Sequence, residues 1–385
     1  MRLRIAHVLS NLGTYGAQRV VADLLPELRL AGCDVAALTV YEVSEECRTS
    51  LSGMVTPLNR QRGDFSFFSR MVSFLRDWQP DIVHTHTHNG KYWGRAAAVL
   101  ARTSAVVHTE HNPTRAEHTW PERLGDVVLD PRTDAAVVFS HEQRSLYEQR
   151  SPGLRGRIHV IPNGVRPSHP VSELERARAR KELGIPPHVF VICMLGRLET
   201  PKNNALALRA LHALAQRDIH ALMLLVGDGP DERALRALAA ELQLGDSVRF
   251  LGFRSDGRRI LEACADTLLL TSTYEGMPMA VLEAMACEVP VVSTPWTGVG
   301  EIVERGKTGC VSLGWNEGDL ARDLQFLMNQ PERRREIARL ARARVEARFS
   351  LAATAHAHHA LYEELYNRRM KVRGAHRRHY QQIPV

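Results

Sequence analysis

Short apolar runs alternate with stretches of helical period along most of the chain, and this pattern predicts a doubly wound α/β architecture. Residues 3–9 (LRIAHVL) read as a strand, followed by a polar, glycine-containing loop from Ser10 to Gly16 and an amphipathic helix over about 17–31. DVAALTV, DIVHTH, AVVHTE and AAVVFS read as further strands, and RIHVIPNGV (157–165) closes this first series. A charged, proline-bracketed segment follows, RPSHPVSELERARARKELGIPPH, and its composition marks it as a linker. The alternation then restarts at 189–195, 221–227, 247–252, 265–271 and 289–293. From about Asp319 the chain is helical and rich in arginine.

Two Rossmann-like domains facing across a cleft are the economical reading, with the ligand in that cleft. The expected boundaries are 1–165 for the first domain and 166–349 for the second. A helix at about 350–370 is expected to pack back on the first domain, and 371–385 reads as a flexible basic tail.

Composition narrows the class. A chain of 385 residues is long for one core, and 44% hydrophobic with 24% charged residues is a globular balance. No apolar run reaches the length of a membrane span. The N-terminal residues run into a strand and loop and do not resemble a signal peptide. Six scattered cysteines without a CxxC pair suit reduced core thiols, so the expected location is cytoplasmic. The net charge of +7 favours anionic partners. Nucleic acid is not expected, since no basic-aromatic recognition motif or zinc spacing is present.

The most informative stretch is Thr273 to Val292, TYEGMPMAVLEAMACEVPVV. It reads as a loop after a buried strand, then a helix entered at Pro278, where a missing N–H is tolerated. A helix N-terminus at the carboxyl end of a parallel strand attracts anions. Glu275 and Glu283 flank it, and carboxylates beside a phosphate make sense if they serve hydroxyl groups next to it. On this stretch alone, two solvated acids in an ordinary βαβ unit fit equally well.

Other loops add chemistry. Gly196-Arg197-Leu198-Glu199-Thr200-Pro201-Lys202-Asn203 follows a strand, and its two cations can neutralise a diphosphate or simply lie on a surface turn. Val226-Gly227-Asp228-Gly229-Pro230 reads as a tight turn that can approach a ligand. The first βα loop, Leu12 to Arg19, lacks the GxGxxG spacing, and Glu42 is only a weak echo of a ribose-binding acid, which sets a dehydrogenase aside. His111 stands at the carboxyl edge of a strand, able to donate a hydrogen bond or shuttle a proton. His84, His86 and His88 compete with it. Zinc held by this cluster is disfavoured, because residues along a strand alternate between faces and no cysteine lies near, so no metal ligands are assigned.

Taken together, GRLETPKN, VGDGP, FLGF and EGMPMAVLEAMACEVPVV resemble the family-4 retaining glycosyltransferases of GT-B fold. IPNGV, HTEHN and the early glycine loop extend the likeness in order from Arg4 to about Gly309. The resemblance implies a hexosyltransferase-type enzyme. In it Glu275 binds hydroxyls of the transferred sugar and Glu283 the ribose. Arg197 and Lys202 hold the diphosphate, helped by the backbone around Gly276, Met277 and Pro278, while Gly196 and Gly227 lie against the donor. His111 is implied to touch the donor sugar or reacting phosphate, and Gly16 to bring the first loop near the donor phosphates. No Asp-x-Asp is present, so no cofactor or metal is expected, with cations and helix end stabilising the leaving group.

The chain departs from the family at Tyr15-Gly16-Ala17-Gln18-Arg19, where Gly-Gly-Ala-Glu-Arg is usual, and at Trp296, which either crowds the site, stacks on a ligand ring or joins the core. A non-catalytic nucleotide-sugar binder, or an epimerase of similar fold, is the alternative. A two-carboxylate hydrolase using Glu275 and Glu283 would not need the cationic loop. For the acceptor, a glycan or lipid-linked sugar of polysaccharide or glycolipid synthesis is expected. Arg60 to Trp78 mixes cations with aromatics and suits peripheral contact with the inner face of a membrane. Phe67, Met71, Phe74 and Trp78 nevertheless fall at helical spacing, which favours the core.

Overall fold

The computed structural model describes residues 2–13, 16–112, 119–168 and 171–380, with side chains as far as Lys371. Tyr15 lies outside the described residues. The chain divides into two units, Met1–Gly164 with Leu351–Val385, and Val165–Ser350.

In the first unit, strands β1 (Arg4–Leu9), β2 (Asp34–Thr39), β3 (Val55–Pro57), β4 (Ile82–His86), β5 (Ala105–Thr109), β6 (Ala135–Val138) and β7 (Ile158–Val160) form one sheet. Its order is β3-β2-β1-β4-β5-β6-β7, with each pairing parallel. Helices cover both faces, so the strands must be apolar on both sides. On one face Ile5, Leu9, Ile82 and Val107 pack with Leu24, Leu25 and Leu28 of the helix Gly16–Leu30 and with Leu361, Tyr362 and Leu365 of the final helix, Leu351–Tyr380. The opposite face joins Ala6, Val8, Val83 and Val106 to Phe67, Met71, Val72 and Leu75 of the helix Ser66–Trp78.

That second contact decides the role of residues 60–78. Phe67 and Met71 are wholly buried, and Phe74 and Trp78 pack against the same core. The cations are also engaged within the molecule: Arg60 lies over the rings of Tyr41 and Phe67, and Arg70 bonds to the Leu58 carbonyl and Asp64. This segment is therefore core, and the membrane reading for it is withdrawn.

The second unit holds β8 (Val191–Leu195), β9 (Leu222–Val226), β10 (Val248–Gly252), β11 (Thr267–Leu270), β12 (Val291–Ser293) and β13 (Cys310–Val311). The sheet is again parallel, in the order β10-β9-β8-β11-β12-β13. The segment taken for a linker belongs to this unit. Its helix, Glu173–Glu182, is anchored by Arg176 and Arg180, each 2.7 Å from a different oxygen of Asp266. Trp296 is buried, and its indole N–H donates to Ser293 Oγ at 3.1 Å, so it belongs to the core and is no stacking surface. Of the stretch 371–385 read as a flexible basic tail, residues 371–380 continue the final helix and 381–385 lie outside the described residues.

A group of imidazoles lies between the first sheet and the final helix. His84 and His86 are two residues apart and so share a face, joined there by His7 of β1. The alternation argument against a histidine cluster therefore fails: single ligand atoms of these three lie within 4.8 Å of one another, close enough to hold a metal ion. Most of their nitrogens are engaged, His7 Nδ1 with His86 Nε2 at 2.9 Å, and His84 with Tyr362 Oη and Thr109 Oγ1 at 2.6 and 2.7 Å, whereas His7 Nε2 is buried with no hydrogen-bond partner among the described residues. Burial lowers the pKa of His7 to about 3, with a further push from His358, and that of His358 to about 4.

These imidazoles should make the fold sensitive to acid. The unfolded chain takes up protons near pH 6.5, whereas folded His7 and His358 resist them down to about 3 and 4. Stability is then fully present above pH 6.5 and lost as the pH falls toward 4. Each imidazole contributes about 1.4 kcal/mol per pH unit. Urea midpoints should hold level from pH 7.5 to about 6.5 and fall from there to pH 5, and His358→Leu should flatten that fall. A midpoint that does not move over that range would contradict this account.

Candidate active site

The second unit gathers its chemistry where β8, β9 and β11 end. After Leu195 the chain passes through Gly196 at φ 153°, then Arg197 to Glu199, a single 3-10 turn at Thr200–Lys202, and Asn203 at φ 46° before the helix Asn204–Ala215. The next strand ends in Gly227, at φ 143°. A Cβ on Gly227 would stand 1.9 Å from the Gly196 carbonyl oxygen, and one on Gly229 only 2.1 Å from that of Leu198. The two loops are in backbone contact, sealed by Leu198 N–H donating to the Asp228 carbonyl at 2.8 Å. Glycine is therefore required here by contact as well as by conformation.

The loop after β11 clasps the same turn. Thr273 N–H donates to the Pro201 carbonyl and Thr271 Oγ1 to that of Lys202, both at 2.9 Å. This brings Lys202 Nζ to 2.6 Å from Oε1 of Glu275, which also accepts from Ser272 Oγ at 2.5 Å. Glu275 is only 8% exposed, so its charge is met by a cation from a loop 73 residues earlier. Gly276, Met277 and Pro278 are buried behind it, and Pro278 caps the helix Met279–Ala286 without a side-chain hydrogen bond. Arg197 is exposed, its Nε 3.4 Å from Glu199. Glu283 is half-buried on that helix, beside Arg258, which it helps keep charged.

Of the residues singled out in the sequence, Gly196, Arg197, Lys202, Gly227, Glu275, Gly276, Met277, Pro278 and Glu283 fall in this unit. Gly16 and His111 belong to the first unit, at the carboxyl ends of β1 and β5. His111 Nε2 is 3.2 Å from His86 Nδ1, and burial lowers its pKa to about 4, so the ring is neutral near pH 7. It borders a cavity of ≈ 220 Å³ whose walls include Lys91, His108, Glu110 and Glu122.

These neighbours escaped the sequence reading. Lys91 is buried, with Nζ 3.3 Å from Glu110 and 3.1 Å from Asp126. Burial alone would raise the pKa of Glu110, but Lys91 and His108 hold it well below the ordinary value. The signal present in the sequence was Lys91 and Arg95 four apart in an otherwise apolar helix, paired in the fold with acids some 19 to 35 residues later.

Comparison with known proteins bears on the family and the fold. Residues 14–169 match the family described as Glycosyltransferase Family 4, and residues 175–344 that described as Glycosyl transferases group 1. The Anabaena protein Alr3699/HepE, in a crystal structure with UDP and glucose, superposes with a TM-score of 0.82 at 21% identity, over 94% of this chain and 100% of that one. WaaG, a glycosyltransferase involved in lipopolysaccharide biosynthesis, gives 0.72 at 17% identity, over 92% and 98% of the two chains. Both establish a GT-B fold of two Rossmann-like domains.

Among sequence relatives, the putative glycosyltransferase EpsD of Bacillus subtilis is 28% identical over 77% of this chain and 81% of its own length. The UDP-Gal:alpha-D-GlcNAc-diphosphoundecaprenol alpha-1,3-galactosyltransferase of Escherichia coli is 27% identical, over 76% and 79%. The chain is a glycosyltransferase of the group 1 family, and hence an enzyme.

The glycine contact yields a direct check. Gly227→Ala should lose about 3 kcal/mol in denaturant unfolding, through its positive φ and the clash with Gly196. Gly300→Ala, with open space around the added methyl, should stay within about 0.5 kcal/mol of the parent. Equal losses at both positions would remove the contact as the cause.

Proposed function

We propose that the enzyme moves a hexose from a nucleotide-sugar donor to a glycan or lipid-linked acceptor, with retention of anomeric configuration, in cell-surface polysaccharide or glycolipid synthesis. The observation that carries this reading is the Lys202–Glu275 pair at 2.6 Å, with Arg197 exposed on the same glycine-backed loop. Transfer breaks the bond between the anomeric carbon and the diphosphate oxygen. Positive charge develops on the sugar and negative charge on the departing diphosphate. Arg197 and Lys202 are assigned to that diphosphate, with the helix end at Met279 adding its dipole. The acceptor hydroxyl bonds to the anomeric carbon and gives its proton to a leaving phosphate oxygen.

Glu275, released from Lys202, accepts hydrogen bonds from the sugar's hydroxyls, and Glu283 accepts them from the ribose. Gly196, Gly227 and the backbone of Gly276 to Pro278 line the donor. Neutral His111 donates to the sugar or reacting phosphate, and Gly16 lets the first loop near the phosphates. With two cations and a helix end assigned to the leaving group, the reaction is proposed to need no metal or other cofactor. The name of the Escherichia coli relative, a transferase to a diphosphoundecaprenol-linked sugar, supports a lipid-linked acceptor. The proposed setting is the cytoplasm, with peripheral contact at the membrane's inner face. No helix among the described residues is long and apolar enough to cross a membrane.

A donor panel led by UDP-sugars tests the assignments. A bound nucleotide sugar at 100 times its Kd should add about 2.7 kcal/mol of stability, read as a rise in Tm. Glu283→Ala should weaken free-nucleotide binding by at least about tenfold. Glu275→Gln should leave free-nucleotide affinity within about threefold while lowering kcat/KM by about 100-fold. Equal loss of nucleotide affinity in both variants would contradict the division of roles. A donor bound but never cleaved, with acceptor present, would favour a binding protein, and a donor altered with no acceptor would favour an epimerase.

A further inference from the structure

The helix Trp120–Leu129 of the first unit is built inside out. A helix on a water-soluble surface buries its apolar stripe and shows its charges to solvent. Here Trp120, Leu124, Val127 and Val128 are 75, 52, 72 and 60% exposed. Their spacing of four, three and one places them on a single face. The three acids, Glu122, Asp126 and Asp130 just beyond the helix end, are turned inward and buried.

Ion pairs and one imidazole contact hold that inner face. Asp126 lies 3.1 Å from Lys91 Nζ and 2.9 Å from an Arg95 guanidinium nitrogen, Asp130 is 2.8 Å from Arg95, and Glu122 is 3.2 Å from His88. Gly125 lets the helix come close: a Cβ there would meet the Tyr92 ring at 2.7 Å. Burying these ions is costly, and an ordinary apolar inner face would have been simpler. The arrangement leaves outside only apolar side chains and cations, Arg123 on the helix and Arg132 at the end of the following turn, both exposed. Beside Val127 a groove of ≈ 540 Å³ is lined by Arg123 and Arg150 together with the ion-paired Asp126 and Asp130.

We propose that this face is a docking surface for an anionic lipid bilayer. Trp120, Leu124, Val127 and Val128 enter the interfacial region while Arg123 and Arg132 meet lipid phosphates. Charge decides the occupant, because an exposed apolar stripe alone fits many partners. The outward charges are cationic and the acids are withdrawn, which suits a negative membrane surface. This deepens the lipid-linked acceptor reading by naming the surface that would bring the enzyme to it. Vesicle binding needs no turnover, so it is judged separately from that reading.

Flotation with vesicles of phosphatidylcholine and phosphatidylglycerol, against phosphatidylcholine alone, is the test. The full chain should float with the anionic vesicles and lose most of that binding at high salt. The variant Leu124→Ser/Val127→Ser/Val128→Ser should partition at least about tenfold more weakly. Arg123→Glu/Arg132→Glu should bind less and lose its salt dependence. Because all five side chains are exposed, circular dichroism and Tm should match the parent. The Trp120 emission, isolated by difference from Trp120→Phe, should shift to the blue only when anionic vesicles are added.

Absence of flotation, or undiminished flotation of the triple variant, would overturn the proposal. So would a concentration-dependent dimer that the triple variant abolishes, since a second copy would then be the occupant. A Trp120 already shielded from aqueous quencher in the free protein would also overturn it, since the chain itself would then cover the face. Flotation without sugar transfer would keep the surface and sink the acceptor reading.

Discussion

A buried carboxylate needs a cation, and in the second unit Glu275 has one: Lys202, 2.6 Å away. Left alone, a carboxylate only 8% exposed would cost several kcal/mol or take up a proton. The loops after β8 and β11 are therefore bound to fold against each other. Their backbone contacts serve the same end, with Thr271 and Thr273 tying down the turn that carries Lys202. The glycines at 196, 227 and 229 let a third loop press against the first, so the turn is braced from both sides. On the proposed reading, a pair held this way offers a cation to phosphate and a carboxylate to hydroxyl groups of one ligand.

The first unit obeys the same constraint with two different solutions. Beneath the final helix, His7, His84, His86 and His358 are buried with no cation-binding carboxylate among their hydrogen-bond partners, and they give up their charge. Around Lys91 and Arg95 the charges are kept and matched by Glu110, Asp126 and Asp130. The second solution draws acids into the interior from a surface helix and leaves that helix apolar toward solvent. An electrostatic requirement inside the unit thus determines what the outside offers.

Much of the architecture was legible because parallel strands covered on both faces read as apolar runs, and β1, β4, β9 and β11 are buried almost throughout. β3 and β13 were missed because edge strands of three and two residues carry no period. The helix Glu173–Glu182 passed for a linker because its partner, Asp266, lies 86 residues beyond Arg180. The site shows the same division. Its glycine loops are local and were readable, whereas the pairing of Lys202 with Glu275, or of Lys91 with Asp126, depends on contacts between distant segments. His84 and His86 were misjudged for a simpler reason: residues two apart on a strand share a face.

The Lys202–Glu275 pair also constrains how a donor and its product differ on the proposed reading. A free nucleotide diphosphate that draws Lys202 away takes from Glu275 the cation that lies 2.6 Å from it. A nucleotide sugar can draw the same cation and, through its hydroxyls, replace the lost compensation at the carboxylate. On the proposed reading, the intact donor therefore meets both halves of the buried pair, while the spent nucleotide meets one. Recognition of the sugar is thereby tied to the same cation that holds the leaving group, because the two belong to one pair.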